Sequence, residues 1–233
     1  MQNLVDKIPT LLEDGASSAT ASSPGFADLY EDCKQSVVRV VGKTFFSKND
    51  QPMVTERNGS GAVISANGAI ITDWHVVKGA SEIDIETASG EHLIAKVIKK
   101  DPLRDLAELL IQTKTHRTFP FLKLAAPGRH ESAAFALGLP AGEKNCYVSP
   151  TAFLEESSYR SLAITRDVDV PPGNQDMDRP IMLLKGRTLS AESGAPVLNR
   201  RGQVLGLVDA TDSTSTIVAT PIEAIRTFLK RDL

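Results

Sequence analysis

Three residues in this chain are of the types that together cleave an acyl bond, and each sits in a distinctive context. Ser193 lies within Thr188–Leu198, T-L-S-A-E-S-G-A-P-V-L, where a small residue, an acid, Ser, Gly, a small residue and Pro precede an apolar run. His75 lies within Ile70–Val77, I-I-T-D-W-H-V-V, and Asp105 within Asp101–Ile111, D-P-L-R-D-L-A-E-L-L-I. A serine hydroxyl is a poor nucleophile until a base removes its proton, and neutral imidazole is the base suited to neutral pH. A buried carboxylate on the other ring nitrogen fixes the tautomer of that imidazole. Backbone N–H groups beside the serine then supply donors for the oxyanion of the tetrahedral intermediate. Read alone, Ser193 is a turn serine beside glycine, His75 a packed histidine next to Trp74, and Asp105 a solvated carboxylate rivalled by Asp101. The order His, Asp, Ser with all three contexts present favours the chemical reading.

Such residues need rigid elements to hold them, and the chain offers mostly short strands. Residues 1–12 alternate weakly, Asp14–Gly25 is small and polar, and the first 25 residues are expected to be a flexible segment. Phe26–Gln35 has helical spacing and predicts a short entering helix. From Ser36 the texture becomes β-rich. Runs at 36–46, 59–65 and 69–74 predict strands, with Ser47–Asn58 a polar loop and Ala66-Asn67-Gly68 a hairpin turn. Glu82–Thr87 and His92–Ile98 alternate around Ser89-Gly90, and Leu106–Ile111 and Phe119–Leu124 follow as further strands. Ala125–Arg129 reads as a link. The second half predicts strands at 133–137, 146–154, 162–170, 181–184, 196–198, 204–208 and 216–219. A terminal amphipathic helix then opens at Pro221-Ile222. Short strands separated by turns indicate an all-β barrel or sandwich. His75 is expected at the end of an apolar strand, and Asp105 just before another.

Bulk properties narrow the function classes. The 233 residues, 41% apolar and 24% charged, suffice for one large domain or two lobes. A net charge of −3 gives no basic footprint, so nucleic acid is not an expected partner. No apolar run reaches the roughly 20 residues of a membrane-spanning helix. No apolar h-region follows a basic start, so no secretory signal is read here. Cys33 and Cys146 leave open whether they pair. His92, His116 and His130 lack partners at metal-ligand spacing and read as solvated.

The segments G-S-G-A-V-I-S…G-A-I-I-T-D-W-H-V-V-K-G-A, K-V-I-K-K-D-P-L-R-D-L-A-E-L-L-I, S-G-A-P-V-L-N-R-R-G-Q-V-L-G-L-V and T-I-V-A-T-P-I-E-A-I resemble the protease domain of HtrA/Deg serine proteases, of the trypsin-like superfamily. The resemblance is strong over Gly59–Ile111 and Ser193–Ile225 and poor over 139–187. It implies two six-stranded antiparallel β-barrels with short N- and C-terminal helices, in one domain spanning 26–233. The first barrel would cover about 36–124, the second about 132–222, and the C-terminal helix 222–231. His75, Asp105 and Ser193 would form the triad of a serine endopeptidase acting on proteins or peptides through an acyl-enzyme, with no metal or organic cofactor. The N–H groups of Ala191 and Ser193 would form the oxyanion hole. Arg187 falls at the primary specificity pocket, and Val208, Asp209 and Ala210 would pair with an extended substrate. The family often trimerises through N-terminal aromatics, for which Phe26 and Tyr30 are candidates. A periplasmic or secreted location follows if a signal has been removed.

This chain departs from the pattern where the family has glycine, at Ala191 and Ala195. Glycine suits an oxyanion-hole position because it adopts φ/ψ values that a Cβ penalises. We therefore expect a loop that rests with the Ala191 peptide turned away and rearranges on binding. The rival is a catalytically silent peptide-binding module of the same fold. The two Ala also break the G-x-S-x-G motif of other hydrolases. No I-V-G-G-type sequence is present, and no PDZ domain follows within these residues. Asp73 and Glu192 flank the triad and are expected to point away from the chemistry.

Overall fold

The computed structural model describes residues 26–114, 116–128, 131, 133–166, 176–186, 192–211 and 216–230. It contains two closed barrels of six antiparallel strands each. The first comprises β1 (Val37–Lys48), β2 (Gln51–Val63), β3 (Ala69–Asp73), β4 (Glu82–Thr87), β5 (His92–Asp101) and β6 (Leu106–Gln112). Its closed order is β1-β2-β3-β6-β5-β4. The second comprises β7 (Ala134–Gly138), β8 (Tyr147–Ser158), β9 (Pro180–Lys185), β10 (Pro196–Leu198), β11 (Val204–Thr211) and β12 (Thr216–Pro221). Its order is β10-β11-β12-β9-β8-β7. Four helices accompany them among the described residues: α1 (Phe26–Lys34), α2 (Trp74–Val77), α3 (Tyr159–Arg166) and α4 (Ile222–Lys230).

Each barrel closes over its own apolar filling. Val38, Val40, Ile70, Ile83, Ile85 and Leu109 fill the first; Ala136, Leu184, Val197, Ile217 and Ala219 the second. A third cluster joins the halves, with Val37, Ile71 and Leu106 of the first barrel meeting Phe135, Leu137, Leu198 and Leu207 of the second. Helix α1 docks on this seam. Its Phe26 ring meets Phe135 edge-on at 5.3 Å, and the Tyr30 hydroxyl donates to the Cys146 carbonyl. Both aromatics proposed for trimer contacts are thus packed within their own chain. Cys33 and Cys146 are buried free thiols, raised to about 11 and about 12 chiefly by that burial.

Several expected elements differ. Ser47–Asn58 is not a loop: β1 and β2 pair from Val37↔Ala62 out to Lys48↔Gln51, around Asn49-Asp50 with φ of 52° and 58°. Two consecutive positive φ values give the turn that matches strand twist, which Asn and Asp tolerate. Phe119–Leu124 is not a strand. Its N–H groups are spent one at a time, Phe119 to Ala66 and Leu122 to Val63, with one bridge at Leu124↔Val204. The predicted strand over 162–170 begins as helix α3 instead, on a buried face of Tyr159 and Leu162. Residues 167–170 lie outside the described residues. Removing those two segments leaves the six strands per barrel that the resemblance implies.

Candidate active site

His75 is presented by α2, a single helical turn directly after β3, not by the strand itself. Asp105 sits just before β6 with φ of 57°, the left-handed region that few non-glycine residues occupy. That conformation turns the aspartate back onto α2. Its carbonyl accepts from the Trp74 N–H at 3.0 Å and its Oδ1 from the His75 N–H at 2.8 Å. Oδ2 lies 2.7 Å from His75 Nδ1. The rival, Asp101, instead caps the turn, accepting from the N–H groups of Leu103 and Arg104 and pairing with the Arg104 guanidinium.

Ser193 comes from the second barrel. Its carbonyl accepts from the Ser60 N–H at 2.8 Å, and its Oγ donates to the Asp209 carbonyl at 3.2 Å, not to His75. Gly194 has φ of 81°, and a Cβ there would come 2.3 Å from the Ser60 carbonyl and 2.5 Å from Thr72 Oγ1. Glycine is required at 194 on both counts. Ala195 has no positive φ and is fully buried, with its N–H on Glu192 and its carbonyl taken by Val208. Alanine therefore fits at 195 without strain. Ala191 and Arg187 lie outside the described residues.

Behind the histidine the structure assembles more charge than the sequence suggested. Asp73, His75, Asp105 and Asp209 each place a side-chain donor atom within 4.8 Å of the others. Asp73 does not point away from the chemistry; it is fully buried, and neither carboxyl oxygen has a hydrogen-bond partner. Burial pushes its pKa well above the ordinary carboxylate value, with Asp105 and Asp209 adding to the rise. Burial alone would lower His75, but the Asp105 hydrogen bond and the charges of Asp73, Asp105 and Asp209 hold it up, to about 9. Asp105 is desolvated too, yet its bond to His75 leaves it below the usual carboxylate value.

Asp209, expected as part of a substrate-pairing edge, turns its carboxylate inward to the Arg179 guanidinium. Burial raises the Asp209 pKa, and Arg179 opposes that rise. Asp105 is thus held by His75 and Asp209 by Arg179, while Asp73 alone of the three carboxylates has neither oxygen engaged. Val208 has both backbone groups engaged, its N–H on Ala195 and its carbonyl accepting from Gly194. Neither group is free in this arrangement to pair with an extended substrate. Glu192 is buried, with its Cγ beside Gly138. Ser60 was missed in the sequence although it joins the barrels two ways, its N–H donating to the Ser193 carbonyl and its Oγ accepting from the Leu139 N–H, while its own carbonyl accepts from Thr72 Oγ1 within the first barrel. Arg179 was missed as well, in a stretch without motif or periodicity.

The sequence pattern of the trypsin-like peptidase domain matches residues 59–207. The chain is 30% identical over 209 residues to the mitochondrial serine protease HTRA2 of Bos taurus, covering 88% of this chain and 42% of that protein. It is 25% identical over 222 residues to serine protease HTRA1A of Danio rerio, covering 94% and 44%. The chain thus spans less than half the length of these two relatives. Among solved structures, the inactive form of the Rv3671c protease matches with a TM-score of 0.68 at 22% identity, over 91% of this chain and 98% of that one. A mutant of Rv3671c from M. tuberculosis H37Rv, also in an inactive form, matches at 0.65 and 21%, over 91% and 96%.

Proposed function

The chain belongs to the trypsin-like peptidase domain family, and from that premise we propose that it is a serine endopeptidase using Ser193, His75 and Asp105 on protein or peptide substrates. The observation that carries the reading is the double hold of Asp105 on His75, through Nδ1 and through the backbone N–H. That hold fixes the ring orientation, and Nε2 acts as base when the imidazole is neutral, a state that the His75 pKa of about 9 moves toward alkaline pH. Ser193 Oγ attacks the scissile carbonyl carbon while His75 takes its proton. The N–H groups of Ser193 and Ala191 receive the oxyanion, and His75 returns the proton to the leaving amine. Water then attacks the acyl-enzyme by the same route, restoring the serine.

In the resting arrangement Ser193 Oγ is held by the Asp209 carbonyl. An extended substrate whose N–H groups bond along Asp209 and Ala210 competes for that carbonyl and releases the hydroxyl toward His75. Arg187 is the candidate contact for an acidic substrate side chain. The Ala191 peptide is the second element to rearrange, since the family carries glycine there.

The test is labelling by a fluorophosphonate probe. The wild type is expected to label, Ser193→Ala to lose all label, and Ala191→Gly to label faster than wild type. A folded wild type that stays unlabelled, with and without peptide, would establish the catalytically silent reading instead.

A further inference from the structure

Arg179 is among the most deeply buried side chains of the molecule, 1% exposed, although it carries a full charge. Burying a guanidinium is expensive unless its donors are matched, so its partners show what it is there to hold. One terminal nitrogen meets the Asp209 carboxylate. The other donates to the Arg104 carbonyl at 3.1 Å and to Thr220 Oγ1 at 3.3 Å. The Tyr159 ring lies against its face at 4.4 Å. Arg104 immediately precedes Asp105, whose left-handed backbone is the strained link in the site. The same connection between β8 and β9 reinforces this contact, because the Asp176 N–H donates to the Leu103 carbonyl. One side chain thus bridges the turn that aims Asp105 and the carboxylate nearest that pair from the second barrel.

We propose that Arg179 is a positioning residue for the His75–Asp105 pair, holding the Asp105 turn through the Arg104 carbonyl and keeping Asp209 charge-compensated beside the imidazole. This rests on the triad reading, but it concerns the resting protein and can be measured without turnover. The charged and titratable groups around His75 are Asp73 on β3, Asp105 before β6, Asp209 on β11 and Arg179 before β9, with Tyr159 of α3 behind Arg179. Arg179 and Asp209 contribute as a pair of opposite charges. Removing only the anion leaves a cation near His75 and disfavours the imidazolium. Removing both leaves the local charge as it was.

The experiment is an NMR titration of the His75 ring in the full chain, including its Nδ1–H resonance, for wild type, Asp209→Asn and the double variant Arg179→Met/Asp209→Asn. Asp209→Asn is expected to lower the His75 titration midpoint by about one unit, and the double variant to return it close to wild type. Arg179→Lys keeps the charge but cannot span Asp209 and the Arg104 carbonyl together. It is expected to keep the midpoint, broaden the Nδ1–H resonance and slow probe labelling severalfold. If Asp209→Asn does not fold, this variant and the double variant carry the test. An unmoved midpoint in folded Asp209→Asn overturns the proposal, as does a sharp Nδ1–H resonance with wild-type labelling in Arg179→Lys. Failure of the wild type to label, with these shifts intact, would count against the protease reading alone.

Discussion

Asp73 is the residue whose chemistry is least expected from its neighbours in sequence, and its burial gives it a measurable pH signature. A carboxyl whose pKa is raised by folding keeps its proton in the folded state while the unfolded chain releases it. Its contribution to stability is therefore fully present below the unfolded value, about 3.9, and is lost as pH rises toward the folded value. Asp73→Asn removes this titration. The variant is expected to gain on the wild type by about 1.4 kcal/mol for each pH unit above about 4 until the folded group ionises. Urea unfolding at pH 4, 5, 6 and 7 checks it, and a gap that does not widen with pH would show Asp73 to be ionised in the folded state. The pairing of His75 with Asp105 was legible because both lie in motifs whose chemistry needs those residue types. The inward direction of Asp73 was not, since it depends on how β3 hands over to α2. Arg179 was invisible for a similar reason: all its named partners are at least 30 residues away in sequence or on another element.

Elements were readable where one face is buried and the other wet. The turn at Ala66-Asn67-Gly68 and the β4–β5 hairpin announced themselves by Asn-Gly and by alternation, and Gly68 and Gly90 do have positive φ. The outer half of the β1–β2 hairpin gave no such signal, because from Phe45 to Arg57 both faces are exposed and no period of two is imposed. Cross-strand pairs Phe45↔Val54 and Phe46↔Met53 hold it, beyond the barrel, on a turn that needs two left-handed residues. Asp50→Val puts a β-branched side chain at φ of 58° and is expected to cost the hairpin tip about 1–2 kcal/mol. Asp50→Gly is expected to cost nothing. Amide hydrogen exchange over Lys43–Lys48 should rise roughly tenfold in the valine variant while β6 stays protected. Faster exchange in β6 as well would mean that the hairpin folds as one unit with the barrel. The apolar run at 119–124 misled in the opposite way: Phe119 and Leu122 are buried as a strand's would be, but their N–H groups bond single carbonyls of Ala66 and Val63 rather than a continuous ladder.

At the scale of the whole molecule the candidate site exists only while the two barrels stay in register, since His75 and Ser193 come from different ones. Besides the apolar seam and Ser60, the joint rests on Arg39. This buried arginine of β1 pairs with Glu86 across to β4 and donates to the carbonyls of Pro140 and Glu143, in the segment between β7 and β8. Arg39→Met keeps much of the packing but leaves those carbonyls and Glu86 without their cation. The expected loss is about 1.5–3 kcal/mol, the range for hydrogen bonds to charged groups. The effect should fall on the joint rather than on either barrel's interior. Trp74, the single tryptophan, reports on the first barrel beside His75, whereas far-UV circular dichroism reports on both barrels. In the wild type the two probes are expected to give one coincident urea transition. In Arg39→Met they should separate, and fluorophosphonate labelling should slow even where circular dichroism still shows native strand content. Coincident transitions with a lowered midpoint would instead mean that the barrels unfold as one unit and that Arg39 contributes stability without setting their alignment. Labelling would then fall only in proportion to the folded fraction, and the seam of Val37, Ile71 and Leu106 against Phe135, Leu137 and Leu207 would be what keeps His75 and Ser193 in register.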